Sequence, residues 1–542
     1  MEKLFLKISC LIMFLFVHLY SQQVAFPSAE GSGRFATGGR GGNVYIVTNL
    51  NNSGAGSIVD AVSQGNRTIV FQVSGTISLG SVILKPKSNT TIAGQTAPGD
   101  GICLKGRIQI SASNVVIRYI RVRVDAGAAN SSGDAVDIES GSNIIVDHVT
   151  ASYARDEGIS CQEKSDKVTV QWCLISEALT FESHSYGSLV RGDYGDQKTY
   201  HHNLYAHNNN RLPRPGNYTN YPTDTIGLYF DFRNNVVYNW KGTSPGYNAD
   251  TASISHYNFI GNVYIPGTES SVSGIAFKED AYRAYAYFAD NMYNGNIPAD
   301  QWSLVQWGSK FTTERKNAYK ARSALIPMEP VTTTSPQQAF DDVLASAGAS
   351  FPKRDTIDRR IISDVLNRTG HSIDSLDSQP EGGWPLLASA PAPTDSDKDG
   401  MPDEWERAHG LNPNDSTDRN TISSAGYTML EEYLNGLVGE STLTSVGNLT
   451  QSGYPEKVNL AQNFPNPFNP TTTIEFELPH SAFVALKVYN VLGQQVRTLV
   501  EGMRPAGKNT ATFDGTTLPS GFYVYELQIE ERKISKTMIL LK

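Results

Sequence analysis

The chain of 542 residues is 39% hydrophobic and 18% charged, with a formal net charge of −9 and no concentrated basic block. Phosphate backbones are held by clustered Lys and Arg, so no nucleic-acid partner is expected. The length leaves room for roughly two to four domains, and after residue 21 no run reaches the roughly 18 apolar residues of a membrane-spanning helix.

Residues 1–21 combine Lys3 and Lys7, an apolar core over residues 11–19 and the small Ser21, the pattern of a secretory signal peptide. Its removal leaves Cys103, Cys161 and Cys173, an odd set in which at most one internal disulfide can form. From residue 44 to about 294, short β-branched and aromatic runs alternate with Gly, Asn, Ser and Asp, with almost no amphipathic helical pattern. Strands are expected at 68–73, 115–124, 144–149, 168–175, 199–205, 227–235, 254–263 and 285–293. Asn114-Val115-Val116-Ile117, Asn143-Ile144-Ile145-Val146 and Lys167-Val168-Thr169-Val170 open alike, roughly 24 to 29 residues apart. That spacing fits the coils of a solenoid with strands stacked into parallel sheets. A sandwich would show turns every 8 to 12 residues or so, with hairpin signals between paired strands. The expected fold is therefore all-β, with a right-handed parallel β-helix over residues 22–330.

Residues 331–392 read as loops with helical stretches at 336–347 and 356–367, closing in the Pro/Ala-rich segment 388–393. This is a wrap over the solenoid followed by a linker. Within residues 393–438, Asp395, Asp397, Asp399, Gly400, Met401, Asp403 and Glu406 occupy positions 1, 3, 5, 6, 7, 9 and 12 of the EF-hand ligand pattern. A hard cation takes about six to eight oxygens, and this register wraps carboxylates around one point, with Gly at the sharp turn and Glu as the bidentate closer. Pro391 and Pro393 leave no helix ahead of it, so the segment is a loop-helix variant that holds Ca²⁺ structurally. A Ser/Thr-rich linker at 439–457 leads to a separate domain at 458–542.

The stretch Gly38-Gly39-Arg40-Gly41-Gly42, Val47-Thr48-Asn49-Leu50, Gly54-Ala55-Gly56-Ser57 and Val73-Ser74-Gly75-Thr76-Ile77 resembles the N-terminal part of polysaccharide lyase family 1, the pectate lyases. So do Ile145-Val146-Asp147-His148-Val149-Thr150 and His201-His202-Asn203 leading to Arg211-Leu212-Pro213-Arg214. The resemblance spans about residues 25 to 370, with its motifs in the family's order. It implies calcium-assisted β-elimination of polygalacturonate, in which the hydrogen removed is α to an anionic carboxylate and that charge must first be neutralised. A divalent cation also bridges an acidic enzyme to an acidic polymer.

By the same resemblance the base is Arg211, an awkward base because its reference pKa lies above about 12, and neighbouring cations lower it. Arg214 clamps a substrate carboxylate as a planar bidentate donor. Asp134 maps to the family's first calcium aspartate, and Asp156 and Glu157 follow as further ligands, with Asp137 and Glu139 as lesser candidates. The carboxylate the family commonly has four positions on is replaced by Ser160 or Cys161. Asp147-His148 is catalytic by residue type, yet in the family it supports the cleft through hydrogen bonds; His148 is kept as a substrate contact. His201 and His202 point to opposite faces of a regular strand, so at most one is a contact. No lysine stands between Ile175 and Arg191, where the family's substrate lysine is expected, and His184, Arg191 and Lys198 are the replacements on offer.

The last domain opens on Asn463-Phe464-Pro465-Asn466-Pro467-Phe468-Asn469-Pro470-Thr471. With turns at 491–494 and 518–523 it resembles the sorting domain of type IX secretion, which implies an immunoglobulin-like sandwich, export machinery as a partner and a secreted or cell-surface destination. The chain is expected to act as a monomer. Two competing classes are a β-helical polygalacturonase-type hydrolase, which needs paired acid and base carboxylates, and a non-catalytic polysaccharide-binding β-helix, which needs no arginine motif.

Overall fold

The computed structural model describes residues 22–127, 133–180, 184–325, 328–377, 379–443, 458–478, 482–504, 507–529 and 532–542. The expected signal peptide and most of the expected 439–457 linker lie outside the described residues. The chain divides into two compact units, Met1–Leu443 and Thr444–Lys542.

The first unit is a parallel β-solenoid whose coils each contribute short strands to three faces. On the first face ten strands stack in parallel, from Asn43–Val47 through Val115–Arg118, Gln197–His201 and Leu228–Arg233 to Tyr285–Ala289. The second face runs through Arg121–Arg123, Thr150–Ser152, Leu174–Ser176, Leu204–Ala206, Val236–Tyr238 and Val263–Ile265. The third stacks residues 107–111, 136–140, 159–161, Leu189–Arg191 and Arg214–Gly216. Alternation decides what fills the interior: Ile144, Val146, Val168, Val170, Tyr200, Phe230, Phe232 and Phe259 point inward into one continuous apolar core. Tyr119, His148, Trp172, His202 and Asn234, each just after a first-face strand, take φ of 51–54° and turn the chain sharply onto the second face. The expected strands at 115–124 and 168–175 are each broken by that corner.

Behind the corner an asparagine ladder satisfies the buried backbone. Asn235 Oδ1 accepts from Asn203 N and Nδ2, both at 2.9 Å, while Asn235 Nδ2 donates to Tyr200 O at 2.9 Å and Asn262 Oδ1 at 3.1 Å. A carboxamide carries donors and acceptors at once, so one residue type repeated per coil pairs itself along the stack. Cys103, Cys161 and Cys173 are buried free thiols, and none of them forms a disulfide.

Two faces are covered. Helices Pro336–Ser346 and Thr356–Asn367 lay Val343, Leu344, Ile361 and Val365 on Leu204, Val236 and Val263 of the second face. Met401, Met429, Leu430, Tyr433 and Leu434 seat on Val70 and Ala93 of the first, and Phe26 and Ala29 pack on Val116 and Ile145. Among the described residues no such apolar cluster lies on the outer side of the third face.

At the far end of the third face Glu279 is fully buried, accepting from Tyr319 Oη at 2.8 Å and Ala281 N at 2.7 Å. Burial pushes its carboxyl from 4.5 up to about 8. Across that window the folded chain keeps a proton that the unfolded chain has released, so stability falls as pH rises, by up to about 1.4 kcal/mol per pH unit. Glu279→Gln is expected to flatten that slope, read from denaturation midpoints at about pH 5 and about pH 8.

Among the described residues the second unit holds two antiparallel sheets, one of three strands and one of four. Ile474, Phe476 and Phe513 from one, with Leu486, Val488, Tyr525 and Leu527 from the other, share a single core, which makes a β-sandwich.

Candidate active site and metal centres

The corners that lead into the third face carry the chemistry. Asp134, Asp156-Glu157, Tyr186 and Arg211 each stand just ahead of a third-face strand, on successive coils. Glu157 bridges to Tyr186 and Tyr186 to Asn210 in parallel, which stacks these corners. With strands about 4.8 Å apart, side chains at equivalent corner positions must converge.

Asp134, Asp156 and Glu157 each offer a carboxylate oxygen within 4.8 Å of the others. Asp134 and Glu157 are buried, whereas Asp156 opens to solvent with 42% of its side chain exposed. Glu157 N donates to Asp134 Oδ1 at 3.0 Å, and the buried Asp156 Oδ1 has no hydrogen-bond partner among the described residues. Burial first and Glu157 second hold the Asp134 carboxyl well above its usual range. Glu157 is also raised, by burial most of all, against the pull of Arg211. Three clustered hard oxygens, one of them orphaned, fit a divalent cation.

Arg211 reaches into this cluster from two coils away, in the left-handed conformation with φ 56°. Its guanidinium pairs with Glu157 and lies 3.9 Å from Asp156. The same group sits 3.9 Å over the Tyr186 ring. Burial pushes Arg211 down, but Glu157 and Tyr247 outweigh it and the net shift is upward. Arg214 lies 3.5 Å from Asp250 and 5.3 Å over the Tyr247 ring. Asp250 also pairs with the fully buried Arg191, whose other nitrogen donates to Tyr218 Oη at 2.9 Å. Asp250 thus ties two arginines together beneath the open face.

His184 lies at the rim, Nε2 3.6 Å from Asp156 and its ring edge-on to Tyr186. Lys198, expected against substrate, is corrected by the structure: it faces the coil interior beside Val168 and Phe230, is fully buried, and donates to Ser165 Oγ at 3.0 Å. His148 is likewise away from the acidic cluster. It stacks between Tyr119 and Trp172 at the corner of the first and second faces, with Nδ1 2.8 Å from Asp147. Asp147 holds Arg118 and Gln171 in a buried network under the N-terminal segment. His201 joins that network through Gln171, and His202 stacks on Trp172. Asp137 takes Gln109 and Gln162 on the outer side of the third face. Tyr186, Tyr247 and Asp250 escaped the sequence reading; the pointer to Tyr247 was its place one coil beyond Arg214, where its N–H bonds Pro213 O at 3.3 Å.

In the EF-hand-like loop, Asp395 closes the turn, accepting from Asp399 N at 3.2 Å and Gly400 N at 3.1 Å. Asp395, Asp397 and Asp399 form one oxygen cluster, and Asp399, Glu406 and Asp418 a second that shares Asp399. Both carboxylate oxygens of Asp397 and of Glu406, with Asp399 Oδ2 and Asp418 Oδ1, are buried without a hydrogen-bond partner among the described residues. Burial and the neighbouring carboxylates push Asp399 up to about 7 and Glu406 up to about 8. Six orphaned buried oxygens fit a hard cation. The expected ligand Asp403 is corrected: it opens helix Asp403–Ala408 and accepts from Ser396 N at 2.8 Å and Ser396 Oγ at 2.9 Å instead. Met401 buries its side chain against the first face, leaving only its main chain for the loop.

Residues 28–235 match the family described as pectate lyase, and residues 462–541 the secretion system C-terminal sorting domain. A probable pectate lyase C from Aspergillus flavus is 36% identical over 440 residues, covering 80% of this chain and 98% of its own. Its counterpart in Aspergillus fumigatus is 37% identical over 423 residues, covering 77% and 94%. Among solved structures, a pectate lyase bound to hexasaccharide is 16% identical with a TM-score of 0.39, covering 60% of this chain and 98% of its own. The cedar pollen allergen Jun a 1 is 15% identical with a TM-score of 0.42, covering 59% and 92%.

Proposed function

The chain belongs to the pectate lyases, which makes it a polysaccharide lyase, and from that premise we propose that it cleaves α-1,4-linked polygalacturonate by calcium-assisted β-elimination, releasing unsaturated oligogalacturonates. The observation that carries this reading is Arg211 set against the cluster of Asp134, Asp156 and Glu157 on the uncovered face. Those three carboxylates hold the cation, which when bound neutralises the substrate carboxylate and acidifies the adjacent C5 hydrogen. Arg211 takes that hydrogen as a proton. While Arg211 is the only counter-charge on Glu157, Glu157 holds it protonated, so a second cation on Glu157 is what releases the base. Arg214, fixed by Asp250, grips a neighbouring uronate, and His184 lines the rim. Tyr186 holds the guanidinium in place over its ring face, 3.9 Å from the centroid.

The second calcium site uses Asp395, Asp397, Asp399, Glu406, the main chain of Met401 and, beyond the loop, Asp418. Residues 22–330 are the catalytic domain, 331–392 its wrap, 393–438 the calcium segment, and 458–542 the sorting domain that hands a single exported chain to type IX machinery. A hydrolase is disfavoured by the arginine: its chemistry needs a pair of carboxyls as acid and base and no arginine among them, whereas here Arg211 pairs directly with Glu157.

Incubating the protein with polygalacturonate, with and without a calcium chelator, tests the reading. Ultraviolet absorbance from unsaturated ends is expected with calcium and not with chelator. New reducing ends without that absorbance would mean hydrolysis and overturn it.

A further inference from the structure

We propose that Lys278 anchors a distal subsite for polygalacturonate, two coils past Arg214, and that it sets a preference for long chains over short ones. The inference rests on the β-elimination reading above and deepens it: the same polymer is gripped well beyond the bond that breaks.

Alternation builds the track. The outward place is held by Arg214 on strand Arg214–Gly216, by Tyr247 on Gly246–Asn248, by Lys278 on Phe277–Glu279 and by Gln306 on Val305–Trp307. Tyr247 pairs in register with Lys278 and Lys278 with Gln306, while Phe277 and Glu279 on either side of Lys278 are fully buried. Arg214 lies 5.3 Å over the Tyr247 ring, so the row is unbroken from Arg214 to Lys278. Adjacent strands stand about 4.8 Å apart, which puts Lys278 about 10 Å past Arg214 along the coil axis. A 1,4-linked pyranose chain advances by close to one strand spacing per residue. The carboxylate that meets Lys278 therefore belongs to the uronate two residues past the one on Arg214, on the side away from the acidic cluster of the earlier coils.

Charge suits this end to a polyanion, in a chain whose formal net charge is −9. Lys278 has 45% of its side chain exposed and holds Asp280 at 3.0 Å; an ammonium has three donors, and this contact uses one. Asp250, one coil earlier, is already shared by Arg191 and Arg214. The corner after Lys278 sets Arg283 4.3 Å over the ring of Tyr221, which is 46% exposed, and on the next coil Lys310 stands 5.5 Å over Tyr282. Between residues 305 and 322 the chain carries Lys310, Arg315, Lys316, Lys320 and Arg322 against the single acid Glu314. A polyuronate leaving Arg214 in this direction runs towards net positive charge.

The test is Lys278→Gln in the full chain, with calcium, assayed by unsaturated-end formation on hexagalacturonate and on trigalacturonate. With the reacting uronate on the acidic cluster and its neighbour on Arg214, the chain must extend two more residues to reach Lys278, which a trimer cannot do and a hexamer can. KM for the hexamer is expected to rise by about fivefold, about the most an exposed ion pair contributes. Its kcat, and both constants for the trimer, should stay within about 1.5-fold of the parent's. Lys278→Arg keeps the charge and should hold the hexamer KM within about twofold. A hexamer KM that Lys278→Gln leaves within about 1.5-fold of the parent's overturns the proposal. So does a rise matched on the trimer, which would put the effect in the cleft itself. If the Gln variant fails to fold, the parent alone decides. Salt screens exposed pairs, so its hexamer KM should climb with ionic strength more steeply than its trimer KM, and parallel curves overturn the subsite. A parent that releases no unsaturated ends from either substrate overturns the β-elimination reading, and the subsite with it.

Discussion

Arg211→Ala is expected to lower the rate of unsaturated-end formation by about 10³-fold, in the middle of the range for losing a general base. Arg211→Lys should recover little of it, because an ammonium point charge cannot cover the Tyr186 ring and pair with Glu157 as the planar guanidinium does. The variant carries a second signature that separates a base from a mere structural partner. Glu157 is buried with only 2% of its side chain exposed, and Arg211 is the cation it pairs with. Without Arg211 that carboxylate is a buried charge lacking compensation, a situation that costs about 3–5 kcal/mol. Calcium on the cluster supplies the missing charge. The melting temperature of Arg211→Ala should therefore drop well below the parent in chelator and approach it in calcium, while activity stays lost in both. Retained activity in calcium would remove Arg211 from the base role.

The solenoid was legible because its signal is a period. Successive coils reuse an inward apolar strand followed by a left-handed corner residue, so a spacing of roughly 24 to 29 residues announced it without any contact being known. The same logic explains why Asp134, Asp156, Glu157 and Arg211 come together: they occupy one corner on neighbouring coils. Lys198 failed on alternation. Its strand pairs with residues 168–171, whose Val168 and Val170 face inward, so Lys198 and Tyr200 must face inward too, with Ser165 and Asp196 there to receive the ammonium. His148 looked functional by residue type, but it is a corner residue whose ring serves a stack. Asp403 holds position 9 of the calcium register, yet a helix begins on it, which turns its oxygens to Ser396. Asp418 lies beyond the loop in a short turn at Asp418–Asn420 and no local pattern points to it. Tyr247 meets Arg214, and Asp250 pairs with Arg191 and Arg214, only because coils stack, a long-range relation that a linear motif does not encode.

Removing calcium is expected to lower the melting temperature of the unit formed by residues 22–443 by roughly 5–10 °C, and Glu406→Gln should abolish most of that difference. An ion present at about 1,000 times its Kd stabilises by about 4 kcal/mol, and each kcal/mol is worth roughly 2–4 °C in domains of about 150–250 residues, less in a larger one. The loop can pass that energy to the coil because it is not a free tether. Met401, in the loop itself, is fully buried against Val70 and Ala93, and Arg40 pairs at 2.7 Å with Glu431 of helix Met429–Gly436, which packs on the same face. The sign of the Glu406→Gln effect should reverse with the ion. In chelator the substitution removes one carboxylate from a buried cluster with Asp399 and Asp418, so the variant should melt above the parent. In calcium it removes a charged ligand, so the variant should melt below the parent. Turnover at saturating calcium and moderate temperature should stay near the parent's, since Asp134, Asp156, Glu157 and Arg211 are untouched. A variant that melts below the parent in both buffers would mean that Glu406 packs the fold and binds no ion.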